Sequence, residues 1–366
     1  MSLQGISVEK IQQAAVTYDP VLRYLPHIEL EGFIKEMHFN LKPVTEEDRI
    51  INMRRRGELL RPYRGRVSKE EGKDEILRPE ESVLSPRMGY LTITDNIQNY
   101  RDKKLLMKEG RTLTGENKKH PYEYEILKSV VKTFVEDFTL AIPHAKEELD
   151  NDTSPLTIFD GYNAIVDKLI GETKISQGKG NLIEVNNLVP ADETLAEKKK
   201  PLDALIGFVR SLNPMLRSGA LDIIVPMDTL NHILDAFELR RISQGDISRE
   251  KLAEFVRDKC GLGQTPSILS NPIIGKGTRL IATRPGNITV GVSAPADMQF
   301  VQVRSVYEDP NLVQYWMQAQ MGVRIDNWNS KVFAVSSGTI TFPTGLEGDY
   351  RLKEIEVNGK NEFVEE

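Results

Sequence analysis

The residue types that most often perform catalysis or hold metal ions are scattered along this chain. None of the five histidines belongs to an H-E-x-x-H or similar ligand pair. The single cysteine, Cys260, has no base close to it in sequence. We therefore expect no metal site, no disulfide framework, no cofactor and no thiol nucleophile. The histidines are interpreted as surface or packing residues: His27, His38, His120, His144 and His232.

One of two glycine-rich stretches resembles a phosphate-binding loop, but only in part. In Gly275-Lys276-Gly277-Thr278, Ser270 stands where the upstream glycine is needed, and Gly277 stands where Ser or Thr should follow the lysine. The stretch Gly178-Lys179-Gly180 predicts a flexible turn. The sequence also contains no G-x-S-x-G nucleophile elbow. We therefore expect the chain not to be an enzyme.

The acidic and aromatic residues also give little indication of a catalytic or binding site. The acids between Glu147 and Asp152 lack the spacing and the glycine of a calcium loop, so we interpret them as a solvated helix exit. Trp316 and Trp328, with Tyr315, could stack on bases, but Trp316 falls in a predicted helix where core packing is the default.

Length and composition are those of an ordinary globular protein. The 366 residues, 39% hydrophobic and 28% charged, are enough for one or two compact domains. No apolar run approaches the roughly 18 to 20 residues of a membrane helix. The start, MSLQGISVEKIQQ, has no basic stretch followed by an apolar core, so no signal peptide and no membrane partner are expected.

The charge is distributed unevenly. Residues 49–119 hold 18 Lys or Arg against 11 Asp or Glu, so with a net charge of −6 the rest of the chain carries −13. The densest stretch, Arg54 to Arg66, has six arginines and one acid. Such a chain can attract copies of itself, although a solvated charged loop explains the same pattern.

The first 120 residues lack the apolar clusters of an independent core. A short amphipathic helix is predicted at Ser7 to Tyr18, and the prolines that follow favour extended chain through IELEGFIKEMHFNL. Residues 50–119 are polar and broken by Pro and Gly, with strand-like pieces such as Gly89–Thr94. We interpret this part as an arm and an extended hairpin that pack on a second copy.

A long amphipathic helix gives the clearest local signal. Apolar residues recur at spacings of three and four from Tyr124 to Ile142, between Pro121 and Pro143. The pattern predicts a helix of about 20 residues, or roughly 30 Å, that needs a sheet to lie against.

The remaining sequence alternates between helix and strand signals and places the chain in the α+β class. Helices are predicted around 165–170, at 201–212, after an Asp228 cap, at 248–260 and around 312–320. Strands are predicted at 182–189, 221–226, 300–304, 331–335, on either side of the Arg-Pro-Gly-Asn turn in 279–292, and in a hairpin with Asn358-Gly359 at its turn.

The order of these pieces resembles the tailed-bacteriophage major capsid proteins of the Hong Kong 97 type. PLDALIGFVRSLNPMLRSGALDIIVPMDTLNHIL resembles the family's helix, buried strand and second helix, and FDGYNAIVDKL its glycine turn after the spine helix. GKGTRLIATRPGNITVGV is similar to its hairpin. MQFVQVRSVYEDPNLVQYWMQAQMGVRIDNWNSKVFAV is similar to the closing strand, helix and strand.

The resemblance implies an α+β, Hong Kong 97-type phage capsid fold with an N-terminal arm, an extended β-hairpin loop, a long spine helix, and peripheral and axial domains. The arm would be 1–49 and the loop 50–112, which reaches over a neighbouring subunit. The peripheral domain with the spine helix would comprise 113–154 and 297–340, the axial domain 155–296, and the C-terminal tail 341–366.

The implied function is structural: copies form pentamers and hexamers of an icosahedral virion shell around double-stranded DNA, assembled in the bacterial host cytoplasm. Scaffold, portal and decoration proteins would be further partners, and DNA would be contacted non-specifically. The alternatives are an encapsulin-like compartment, an unrecognised enzyme, or a nucleic-acid-binding protein that uses 49–119. The candidate subunit-interface residues are Arg54, Arg55, Arg56, Arg61, Arg64 and Arg66.

Overall fold

The computed structural model describes residues 7–55, 77–97, 122–148, 154–240, 248–294, 299–306, 309–341, 353–357 and 360–364. Two hydrophobic clusters organise these residues. The first cluster contains buried residues from two N-terminal helices, a long helix and a five-stranded sheet. The second gathers three helices on a second five-stranded sheet.

Two helices open the described chain. Helix α1 (Val8–Thr17) confirms the predicted amphipathic helix, and the Ser7 side chain caps it by accepting from the Lys10 N–H. Helix α2 (Asp19–Glu36) occupies the stretch that we expected to be extended, so that prediction was wrong. Pro20, the second residue of the helix, suits the first turn. The buried residues recur at helical spacing despite Pro26: Leu22, Leu25, Leu30, Phe33 and Ile34.

Both helices pack on the core of their own chain. Helix α3 (Tyr122–His144) is the predicted long helix, and its apolar stripe lies in the first cluster together with Ile11 of α1 and Leu30 of α2. The Tyr18 and Tyr124 rings lie 4.6 Å apart at the junction of the three helices. The expectation that the whole N-terminal arm is buried against sister molecules is therefore corrected for α1 and α2.

One long strand runs through the first sheet. Strand β12 (Asp309–Ile325) pairs antiparallel with β4, β10 and β11, and β1 adds in parallel to β10. The helix expected around 312–320 is therefore wrong. Residues 313, 315, 317, 319 and 321 are buried and alternate with half-buried residues, which is the period of a strand. The neighbouring strands are β1 (Asn40–Val44), β4 (Arg87–Asn96), β10 (Ile288–Ser293) and β11 (Gln299–Val306).

The second sheet is built from five short and mostly buried strands in the order β5-β13-β9-β6-β7. These are β5 (Leu182–Ile183), β6 (Asp222–Ile224), β7 (Ser267–Leu269), β9 (Ile281–Thr283) and β13 (Phe333–Ser336). The predicted turn between β9 and β10 is present, with Gly286 at φ +74°, but the two strands lie in different sheets and do not form a hairpin. The strand expected at 182–189 is limited to the two residues of β5.

Helices at the predicted positions cover the second sheet: α6 (Lys200–Ser211), α8 (Met227–Glu238) and α9 (Arg249–Cys260). Asp228 lies in the first turn of α8, and Pro226, not Asp228, is the N-cap residue. The shorter helices are α4 (Tyr162–Gly171), α5 (Leu195–Lys198) and α7 (Pro214–Arg217).

Three two-stranded pairs complete the described elements. Strand β2 (Asp48–Arg55) pairs with β3 (Leu77–Leu84), and β8 (Lys276–Gly277) pairs with β14 (Ile340–Thr341). Near the C-terminus β15 (Lys353–Val357) pairs antiparallel with β16 (Lys360–Val364), as the predicted hairpin requires.

Gly161, at the start of α4, shows why the glycine after the long helix is needed. A Cβ atom there would lie 2.6 Å from the Ile142 carbonyl oxygen and 2.8 Å from that of Ala141. The close approach lets α4 fold back onto the end of α3, where Phe138 and Phe159 pack edge to face at 5.8 Å.

Candidate assembly surfaces

Several histidines and the cysteine of the described chain are explained by packing and hydrogen bonds within the fold. His27 and His144 contact the carbonyl oxygens of Ser293 and Ile273 at 3.0 and 2.8 Å, and burial lowers the pKa of His144. Cys260 is buried, which raises the pKa of its thiol. No group of three His, Cys, Asp or Glu residues in the described ranges could hold a metal ion.

Two other sequence motifs also have structural roles in the described chain. Lys276 and Gly277 form a strand rather than a phosphate loop. Glu147 makes an ion pair with Arg87 at 2.6 Å. Asp150, Asp152 and His120 lie outside the described residues. A lipid bilayer could not be spanned by any helix in the described part of the chain, because each is too short or too polar.

The β2–β3 hairpin contains the first of the candidate arginines. Its register runs from Asp48 opposite Leu84 to Arg55 opposite Leu77. The backbone of Arg54 and Arg55 therefore lies at the far end of the hairpin from its base. The other four candidates lie outside the described residues: Arg56, Arg61, Arg64 and Arg66.

The hairpin is attached to the first sheet through the inner face of its strands. Asn52 donates from Nδ2 to the Asp326 carbonyl oxygen at 2.5 Å. Ser82 on the opposite strand is buried and donates from Oγ to the Ile325 carbonyl oxygen at 2.6 Å. One contact from each strand thus fixes the hairpin to the end of β12.

A buried arginine reinforces the base of the hairpin. Arg324, only 2% exposed, donates to the Asp48 carboxylate at 2.7 Å and to the Asp48 carbonyl oxygen at 2.9 Å. It also donates to Asp326 at 2.7 Å. Lys42 pairs with Asp48 at 2.7 Å, and Lys42 first and Arg324 second lower the pKa of that carboxyl. The charged side chains of Lys42, Asp48, Arg324 and Asp326 thus form one connected set of ion pairs that joins β1, β2 and the end of β12.

The outer face of the hairpin carries three apolar side chains that the described chain leaves uncovered. Ile51 is 59% exposed, Met53 64% and Val83 38%. Their cross-strand partners are Glu81, Pro79 and Arg49, and the last pairs with Glu81 at 3.6 Å. A two-stranded hairpin has no second layer of its own, so this face gains burial only from another surface.

A second exposed surface is the outer face of the first sheet. Met88 and Tyr90 of β4 are exposed and stand opposite Gln320 and Gln318 of β12. Further along, Thr92 stands opposite Trp316, and the Arg304 guanidinium lies 5.9 Å from the Trp316 ring. This face combines amide, hydroxyl and aromatic groups with little formal charge, a composition suited to a broad contact.

A third surface is the solvent side of α2. Val21, Tyr24 and Ile28 are exposed and recur at spacings of three and four, while the opposite side of the helix lies in the first cluster. Val16 at the end of α1 is also exposed. The described chain therefore presents apolar groups on several separate elements.

The chain is similar in structure to shell proteins of phage-related particles. No protein-family model matches the sequence, and no curated protein is similar to it in sequence. A chain of the satellite phage P4 procapsid that includes the size determination (Sid) protein aligns with a TM-score of 0.52 and 12% identity, covering 85% of this chain and 90% of that chain. The capsid of a native gene transfer agent particle aligns with a TM-score of 0.50 and 10% identity, covering 83% and 88%.

A virus-like particle from Pyrococcus furiosus aligns over 90% of this chain and 98% of that chain, with a TM-score of 0.40 and 10% identity. The two alignments with the higher TM-scores carry the fold assignment. The chain has the mixed helix-and-sheet fold of Hong Kong 97-type phage capsid proteins, as the sequence resemblance implied.

Proposed function

We propose that this protein is a major capsid protein, a structural subunit that assembles into pentamers and hexamers of an icosahedral shell around double-stranded DNA. The observation that carries the proposal is the β2–β3 hairpin. Its base is held by the buried Arg324 and its carboxylate partners, whereas Ile51, Met53 and Val83 project uncovered from its outer face. A rigidly based hairpin with an exposed apolar face is suited to lie on another copy of the chain.

The two hydrophobic clusters support the division into peripheral and axial domains. The first cluster is centred on α3 and β12, which belong to the proposed peripheral domain of 113–154 and 297–340, but it also includes residues of α4 and β10 from the 155–296 segment. The second cluster corresponds to the axial domain, 155–296. Residues 50–112 would form the loop that crosses a neighbour and 341–366 the tail, whereas α1 and α2 of the 1–49 arm belong with the peripheral domain.

We assign the candidate arginines, from Arg54 to Arg66, to ion pairs between subunits. Exposed ion pairs contribute only about 0 to 1 kcal/mol each, so these arginines would set the register of the hairpin on its neighbour more than its affinity. The acidic remainder of the chain supplies carboxylates for them.

The proposal places the protein in the virion shell after assembly in the bacterial cytoplasm. Scaffold, portal and decoration proteins are the further partners it implies, with packaged DNA contacted non-specifically. The nearest alternative is an encapsulin-like compartment, because the same fold would enclose enzymes in that case. Nucleic acid inside purified particles would favour the capsid, and a co-purifying enzyme would favour the compartment.

Electron microscopy of the overexpressed full-length chain tests the proposal. We expect closed shells, or rings of five and six copies, from the natural sequence. The double variant Ile51→Ser/Met53→Ser should remain folded but lose assembly, because the hairpin no longer offers an apolar face. The matched control Ile51→Val/Met53→Leu keeps that face apolar and should assemble. A natural chain that stays monomeric at high concentration would contradict the proposal.

A further inference from the structure

Strand β4 is an open edge of the first sheet. It pairs with β12 without interruption, from Arg87 opposite Met321 to Asn96 opposite Leu312. Within the described ranges, no strand pairs with its other side. From residue 87 to residue 94, alternate backbone N–H and C=O groups on that side therefore have no partner in the described chain. Such a row of unpaired groups is a template for a further strand.

The other edges of the same sheet carry protections that β4 lacks. Strand β11 is interrupted by register shifts, and Gln12 of α1 donates to the Val303 carbonyl oxygen at 2.9 Å. Strand β1 contains Pro43, which has no N–H to offer another strand. The sequence of β4, RMGYLTITDN, contains no proline and no lysine, and its register has no bulge. Natural proteins rarely leave a long regular edge bare, so we expect β4 to be covered by a partner.

A groove runs beside this open edge. The cavity, of about 620 Å³, lies between the first half of β4 and the second half of α3. Phe134 and Phe138 of α3 supply part of its apolar lining, together with Ile158. Residues 87–92 of β4 line it over about 20 Å, which is the length of a strand of six residues. The groove therefore has the length of a short extended peptide.

The groove is acidic. Asp137, Glu147 and Glu148 line it together with one cation, Arg87, which is paired with Glu147 at 2.6 Å. Asp137 is half-buried and makes no ion pair or hydrogen bond in the described part of the chain. The positions one helical turn away, 133, 134, 140 and 141, carry Thr, Phe, Leu and Ala, so α3 offers it no cation. A half-buried carboxylate without a partner favours an incoming cation, and the apolar lining favours one with an apolar stem.

We propose that β4 binds an extended peptide segment of a second protein, which adds to its open edge as a further strand and places a lysine or arginine against Asp137. Apolar side chains two residues before and after that cation would face α3, because alternate residues of a strand share a face. Backbone hydrogen bonds to β4 would supply affinity, and the groove would supply specificity.

The position of α3 favours a single strand as the occupant. The helix bounds the groove on the side away from β4, which leaves room for one extended segment but not for a paired hairpin. The hairpins of a second copy that the structure describes, β2–β3 and β15–β16, are therefore poor fits. The groove is also separate from the apolar face of the β2–β3 hairpin, so the inference goes beyond the proposed function and does not depend on it.

Peptide binding to the full-length Ile51→Ser/Met53→Ser chain, measured by fluorescence polarisation, tests the inference. The probe Thr-Val-Thr-Lys-Thr-Val-Thr carries Val, Lys and Val on one face, and the comparison peptide has Glu in place of Lys. We expect saturable binding of the lysine peptide and binding of the glutamate peptide that is weaker by about tenfold or more. Asp137→Asn should weaken the lysine peptide by roughly tenfold, whereas Asp137→Glu should retain most of its affinity. Glu125→Gln, an exposed position on the same helix, is the control and should change nothing.

Backbone methylation of the peptide separates strand addition from a simple charge contact. One peptide is methylated at the N–H groups of its second, fourth and sixth residues, and the other at those of its third and fifth. One of the two should fail to bind and the other should bind as the unmodified peptide does, because only one edge of an added strand faces β4. The inference would be overturned by no saturable binding, by equal binding of the glutamate peptide, or by unchanged binding of both methylated peptides.

Particles of the natural chain decide between a second protein and a second copy. Binding by the particles supports the inference. Binding by the unassembled variant but not by the particles would assign the groove to a second copy and overturn the assignment to a second protein. Absence of particles from the natural chain would count against the proposed function alone, because the peptide measurements on the variant would still decide whether β4 accepts a strand.

Discussion

Arg324 shows how far apart in sequence the partners of a functional surface can be. Its contact with Asp48 joins residues 276 positions apart, and neither residue stands in a motif. Sequence patterns revealed the arginines between 54 and 66 because they are clustered. They could not reveal a single buried arginine, because its burial depends on which strands become neighbours.

Asp137, on α3, provides a prediction with a definite pH dependence. Burial raises the pKa of its carboxyl to about 6, and Glu136 adds a smaller effect in the same direction. The folded state therefore binds more protons than the unfolded state between about pH 4 and 6, so Asp137 makes stability fall as pH rises through that window. Asp137→Asn should stabilise the protein at pH 7 by about 1 kcal/mol, after allowance for partial exposure.

Urea unfolding of Asp137→Asn at pH 4, 5, 6 and 7 would measure this effect. The gain should be largest at pH 7 and vanish near pH 4. Glu125→Gln, an exposed position on the same helix, is the control and should change stability by less than about 0.5 kcal/mol. An Asp137→Asn variant that is less stable than the natural chain at pH 7 would contradict the prediction.

At the scale of elements, strong periodicity decided which predictions were right. The long stripe of α3 and the buried strand β6 were predicted correctly, because one pattern fitted each of them. Helix α2 was missed because Pro26 and the alternation in IELE suggested extended chain. Strand β12 was taken for a helix because Leu312, Tyr315 and Ala319 also fit helical spacing, although the alternation with Gln314, Gln318 and Gln320 was the stronger signal.

The two sides of α2 give a prediction about the N-terminal segment. Leu22 is buried in the first cluster, so Leu22→Ala should cost about 2 to 5 kcal/mol of unfolding free energy. Val21, its neighbour on the exposed side, should tolerate alanine within about 0.5 kcal/mol. Each substitution would be made in the assembly-deficient Ile51→Ser/Met53→Ser protein, and chemical denaturation would measure its effect on the free energy of unfolding. Equal effects of the two substitutions would show that α2 does not pack on α3.

At the scale of the whole molecule, His38 links the two hydrophobic clusters. It follows α2, adopts the left-handed region at φ +52°, and contacts the buried Asp222 of the second sheet at 3.1 Å. Its carbonyl oxygen also accepts from the Gly286 N–H, in the turn between the two sheets. A non-glycine residue held in this conformation suggests that the side chain matters for joining the two domains.

Replacement of His38 by Asn tests that role, since Asn tolerates the left-handed region. Burial raises the pKa of Asp222 and the contact with His38 opposes that rise, so His38→Asn should raise it further. We expect a loss of about 1 to 3 kcal/mol at pH 7, which disappears once the pH is low enough to protonate Asp222, because the contact with His38 stabilises the carboxylate form. Hydrogen exchange should increase at the junction. His232→Asn is the control, and a pH-independent effect of His38→Asn would contradict the prediction.

The way the hairpin is held has a consequence for how such a protein evolves. The side chains of Asn52 and Ser82 donate hydrogen bonds to the carbonyl oxygens of residues 326 and 325, respectively. Every amino acid supplies a carbonyl group, so these two contacts place no demand on the side chains of the strand they hold. The Ile325 side chain can therefore change without loss of its contact, whereas Asp326 also contributes a carboxylate to the Arg324 group. Backbone contacts of this kind offer one physical route by which a shape survives at 12% identity.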